Sequence, residues 1–65
     1  MTGSDLAAWR KLHGMTQSDV AFGSGVATIT VSYWETKLTN EDLNKRVRVA
    51  SMRLLSQWMK EVDSA

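Results

Sequence analysis

Apolar residues recur at helical spacing in successive stretches of the chain, and the gaps between stretches carry helix-ending residues. Leu6, Trp9 and Leu12 make the buried stripe of a first helix. Ser4 is its expected N-cap, Asp5 suits its first turn, and Gly14 ends it. Thr16 opens a second helix with Asp19 three residues on, approximating a capping box. Val20 and Ala21 face inward there, and the small Ala21 admits a close neighbouring helix. Gly25 suits the left-handed turn that glycine adopts cheaply. Over residues 27–36, Ala27, Val31 and Trp34 share one side of a third helix. Thr39 followed by Asp42 resembles a further capping box, opening a helix over residues 40–62.

Two faces stand out. Thr28, Ile29, Ser32, Tyr33 and Thr36 fan across the outer side of the third helix. Such a set donates, accepts and touches thymine methyls, as reading base edges requires. A plain solvent face more often carries Glu and Lys than Ile29 and Tyr33. The last helix presents two apolar ridges, Leu43, Val47, Ala50, Leu54 and Trp58 beside Met52, Leu55, Met59 and Val62. Together they cover more than half of a straight helix, wider than one small core needs. The expectation is a homodimer, with the first ridge on the chain's own core and the second, Met52, Leu55, Met59 and Val62, on a twofold mate. A break into two helices near Ala50 or Ser51 is the intramolecular alternative.

The chain has 65 residues, no cysteine, no proline and one histidine, which excludes a disulfide framework and a credible zinc site. That length makes one small domain stabilised by helix packing, spanning residues 1–65, with 40–62 also supplying the dimer contact. No apolar run is long enough to span a membrane and no secretory leader is evident, so the expected setting is cytoplasmic. Net charge is only +1, but Lys37, Lys45, Arg46, Arg48, Arg53 and Lys60 gather in the second half. Complementing helix dipoles explains this as well as a nucleic-acid face does.

The set Leu6, Arg10, Gly14, Met15-Thr16-Gln17, Val20-Ala21, Gly25-Val26, Thr30-Val31-Ser32 and Trp34-Glu35 resembles the Cro/lambda-repressor (XRE-type) helix-turn-helix family, ungapped over residues 6–37. The resemblance implies an all-α, lambda-repressor-like bundle of four to five helices with a long C-terminal helix. It also implies that residues 27–36 enter the major groove of DNA. By position, Thr28, Ile29, Ser32 and Tyr33 match base-contacting residues, while Thr16, Gln17, Lys37, Thr39 and Asn40 match phosphate-contacting ones. Arg10 and Glu35 match a structural ion pair between the first and third helices. The chain departs from the pattern at Ser24, where the family has leucine, and at Lys37, where it has glycine. Residues 21–25 form helix poorly, which predicts a short second helix with Phe22 supplying the missing apolar contact. Thr28 offers weaker direct readout than the glutamine or arginine frequent there.

Other chemistry is thin. Gly23-Ser24-Gly25 lacks P-loop spacing and a following Lys-Ser/Thr pair. His13 reads as a surface residue compensating a helix C-terminus. Arg46, Arg53 and Lys60, seven residues apart along the last helix, are more often a solvated edge than a DNA stripe. Trp9 and Trp34 read as core, and Trp58 as core or interface. No Ser, His or paired-carboxylate arrangement supports catalysis, so neither an enzyme nor a cofactor is expected. The expected function is a homodimeric repressor that binds double-stranded DNA at an inverted repeat. The alternative is an antitoxin or interaction module whose wide apolar helix serves a protein partner.

Overall fold

Five helices follow one another in the computed structural model, which describes residues 1–65: α1 (Gly3–Leu12), α2 (Gln17–Ser24), α3 (Thr28–Lys37), α4 (Leu43–Arg46) and α5 (Val49–Ser64). There are no strands beyond an isolated bridge between Thr2 and Asp42. Leu6, Val20, Val31, Leu43 and Leu55 are fully buried at the centre, with Ala21, Trp34, Leu38 and Met52 around them. No helix is long and apolar enough to cross a membrane.

The caps explain where the first helices begin. Thr2, not Ser4, caps α1: its Oγ1 accepts from the Asp5 amide at 3.1 Å and the Asp5 carboxylate accepts from the Thr2 amide at 2.9 Å. Ser4 lies within the first turn, its amide donating to the carbonyl of Thr39 at 3.2 Å. Thr16 and Asp19 form the same reciprocal box on α2. Gly25 ends α2 at φ 74°, and the next amide, from Val26, donates back to Ala21.

Three expected core contacts differ. Leu12 is 82% exposed, because α1 buries its side only through Leu6 and its flanks before the chain turns at Gly14. Ala27 is exposed at the N-cap of α3 rather than packed beneath it. Phe22 is 92% exposed and fills no gap. Ser24 itself is buried, satisfied by donating its hydroxyl to the Val20 carbonyl at 2.6 Å, and α2 continues through it. Contact between α2 and α5 is made instead at Gly23, where an added Cβ would lie 2.1 Å from the Trp58 indole.

Residues 40–62 do not form one helix. Asp42, not Thr39, caps α4 by accepting from the Asn44 amide at 3.0 Å, and the chain is extended at Val47 and Arg48 before α5 starts. The break falls at Val47 and Arg48, two to four residues ahead of Ala50 and Ser51. Its cause is geometric. Leu43 and Met52 are nine residues apart, about 180° around a straight helix, yet both are buried in the same core. Only a change of direction between them allows this. Met52 and Leu55, expected at a dimer interface, therefore lie in the chain's own core, while Leu54, expected in the core, is 52% exposed. Met59 packs partly on that core as well, and Val62 is half-buried. With α4 and α5 aimed separately, the excess width that suggested a twin disappears. The line of Arg46, Arg53 and Lys60 is broken too, since Arg46 belongs to α4.

Candidate nucleic-acid interface

The outer face of α3 is held by what lies beneath it. Val31 and Trp34 are buried at 0% and 4% exposure, which fixes the helix's rotation on the core. Gly3 fixes its far end: the Gly3 amide donates to the Leu38 carbonyl at 2.9 Å. A Cβ at Gly3 would sit 2.0 Å from the Trp34 carbonyl oxygen, so only glycine lets α1 approach so closely.

A buried ion pair supplies the polar part of this support. The Arg10 guanidinium donates through Nε to Glu35 Oε2 at 2.9 Å and through Nη2 to Oε1 at 2.8 Å, a two-pronged contact between α1 and α3. Its Nη1 donates to the Met15 carbonyl at 3.0 Å, holding the turn before α2. Side-chain exposures of 14% and 6% leave the pair mostly shielded from solvent. Hydrogen bonding to the Glu35 carboxylate raises the Arg10 pKa above its usual value, so the guanidinium stays charged. The Gln17 amide donates to Glu35 Oε1 at 3.2 Å, which ties the first turn of α2 into the same node. Three helices thus meet at a single carboxylate, and the turn joins them through Arg10.

With that rotation, Ile29 and Tyr33 point outward at 79% and 54% exposure, beside exposed Thr28 and Thr36 and half-buried Ser32. Thr28, Ile29, Ser32 and Tyr33 therefore form one continuous surface on α3. Thr16 is exposed at the head of α2, although its hydroxyl is already engaged in capping. Gln17 lies on the same side, half-buried with its amide nitrogen on Glu35. Lys37 is exposed in the last turn of α3 and Asn40 just past it, with Thr39 between them half-buried. Gln17 reaches α3 at Glu35, about half a turn around the helix from Lys37, so the two groups flank the α3 surface on opposite sides.

Gln17 acts within the node as well as facing outward, in keeping with the contact to the third helix that its family position implies. Sequence reasoning missed the contacts around Trp9. Asp63 Oδ1 accepts from the Trp9 indole at 3.1 Å and lies 3.1 Å from His13 Nε2, joining the end of α5 to the end of α1. Trp9 meets His13 and Trp58 at ring-centroid distances of 4.5 and 5.4 Å. An acidic residue near a C-terminus carries no local signal for such a contact. The glycines Gly3 and Gly23 were equally silent, because the clash each avoids involves a residue more than 30 positions away. No group of three or more His, Cys, Asp or Glu side chains is placed to hold a metal ion.

Searches of curated proteins and of solved structures return no significant match to the chain. The helix-turn-helix family model matches residues 6–45, which spans α1 to α4 and includes the node and the α3 surface. That match covers more than half of the chain and agrees with the residues Met15-Thr16-Gln17, Val20-Ala21, Gly25 and Trp34-Glu35 that carry the resemblance. The chain belongs to the Cro/lambda-repressor (XRE-type) helix-turn-helix family of DNA-binding regulatory domains.

Proposed function

We propose that this domain is a sequence-specific regulator that lays α3 in the major groove of double-stranded DNA, one chain per half-site of an inverted repeat. The observation that carries the reading is the α3 surface. A helix anchored at Val31, Trp34 and Glu35 exposes hydroxyls at Thr28 and Thr36 and the large side chains of Ile29 and Tyr33. Thr28, Ile29, Ser32 and Tyr33 reach base edges; Thr16, Gln17, Lys37, Thr39 and Asn40 lie along the phosphates on either side. Half-sites read by a pair of such domains lie about 34 Å apart, one turn of the duplex. A domain of this kind represses by occupying a promoter. Met59 and Val62, still partly exposed on α5, are what remains of the ridge expected against a twin.

Sedimentation of the purified chain with random-sequence duplexes, at low and moderate salt, tests the reading. Retention of a subset of duplexes at moderate salt, two chains to each, is the expected result. A chain that retains no duplex at either salt overturns it and directs attention to a protein partner. Tyr33→Ala and Thr28→Ala should weaken binding to the retained sequence more than to random DNA, whereas Lys37→Ala should weaken both and flatten the salt dependence. Equal losses on the two DNAs for Tyr33→Ala would remove that residue from the reading surface.

A further inference from the structure

Beside α3, on the flank away from Gln17, the break between α4 and α5 opens a groove of about 440 Å³. Ala27, Thr30 and Trp34 form its α3 wall, and Arg46, Arg48 and Ser51 form the opposite side. No acidic residue lines it. Arg48 makes no ion pair, and Arg46 is paired through its guanidinium with Glu41, itself outside the groove lining. We infer that this groove takes the sugar-phosphate backbone of the DNA strand bordering α3, with Arg48 and Arg46 as its phosphate-binding side chains. The inference rests on the DNA-binding reading above and extends it to residues that lie outside the helix-turn-helix unit.

The placement follows from the helix itself. Thr30 and Lys37 are seven residues apart, so they stand on one flank of α3, displaced along it by about 10 Å. That flank is roughly a quarter-turn from Ile29 and Tyr33, where one wall of a major groove must pass if those two face the bases. Lys37 meets this strand at the C-terminal end of α3. Without the groove, the N-terminal end of the same flank would offer only the hydroxyl of Thr30. The arginines supply charge there, and along one strand successive phosphates follow every 3.4 Å or so of helix axis, so about three separate the two contacts. The extended backbone at Val47 and Arg48 joins α4 to α5 where both arginines line the groove opposite α3. The groove and the break are one feature.

Phosphate contact has a signature that a solvated arginine lacks. Each phosphate neutralised adds about 0.9 to the slope of log affinity against log salt on duplex DNA. The test measures that slope on a random-sequence duplex for the full chain and for Arg48→Ala, Arg46→Ala and Arg53→Ala. Arg53 is exposed on α5, outside the groove, and its removal changes net charge equally. The expected result is a slope lowered by about 0.9 for Arg48→Ala and by up to as much for Arg46→Ala, with Arg53→Ala unchanged and all variants equally helical by circular dichroism. Arg48→Lys should restore the slope. If the unmodified chain binds duplex and Arg48→Ala matches Arg53→Ala, the groove assignment falls while the α3 reading stands. If the unmodified chain shows no salt-dependent binding, both fall together.

Discussion

Arg10 and Glu35 face each other from the first and third helices, and Gln17 reaches the same carboxylate from the second. Because both charges are largely shielded, neither is well served by water when its partner is missing. Arg10→Ala should cost roughly 3–5 kcal/mol in urea unfolding, as removal of one partner of a buried pair does. The paired replacement Arg10→Met with Glu35→Leu should recover most of that loss, because matched apolar residues leave no orphaned charge. Recovery of stability without recovery of DNA affinity would assign the node to aiming α3. Gly23 makes a second prediction at this scale. Gly23→Ala drives a methyl into the Trp58 indole and should cost about 1–3 kcal/mol by overpacking. The loss should shrink in a Trp58→Leu background. An equal loss in both backgrounds would mean the indole is not the obstacle.

Elements were legible where their signals are local. Thr16-Asp19, Gly25 and the Val31-Trp34 spacing each act within a turn or two, and each marks what it was read to mark. The C-terminal half was misread because its apolar pattern sums two directions: Leu43 aims one way from α4 while Met52 and Leu55 aim back from α5. Read as one helix, that pattern is too wide for a monomer. Nothing between residues 43 and 55 breaks a helix by itself, there being no proline or glycine there. Burial of both ends in one core decides the break. Leu55 separates the two accounts by experiment. Fully buried, Leu55→Ala should cost about 2–5 kcal/mol whatever the protein concentration. A loss that vanishes on dilution, where a dimer would already have dissociated, would return Leu55 to a subunit interface.

At the scale of the whole molecule, the N-terminal end of the chain is fastened through two carboxylates, one of them in the middle of the sequence. Asp42 accepts from the Asn44 amide and lies 3.5 Å from the Met1 ammonium, while the Leu43 amide donates to the Met1 carbonyl at 2.7 Å. Asp5 accepts from the Thr2 amide at the head of α1. Hydrogen bonds from the Thr2 backbone and side chain hold Asp5 below its ordinary pKa; the Asn44 amide, with the Met1 ammonium and the Asn44 side chain adding to it, does the same for Asp42. A depressed carboxylate pKa means that the unfolded chain takes up protons before the folded one as pH falls. The stabilisation from both groups is complete above the usual aspartate value, about 3.9, and is lost as pH drops through the lower folded values. Thermal midpoints should therefore hold steady down to that region and decline below it. Asp5→Asn keeps an acceptor for the Thr2 amide but no longer titrates, so its decline should be shallower than that of the unmodified chain. If the two curves stay parallel below that region, Asp5 contributes nothing to acid sensitivity, and the loss belongs to Asp42, whose carboxylate accepts from Asn44 beside the Met1 ammonium.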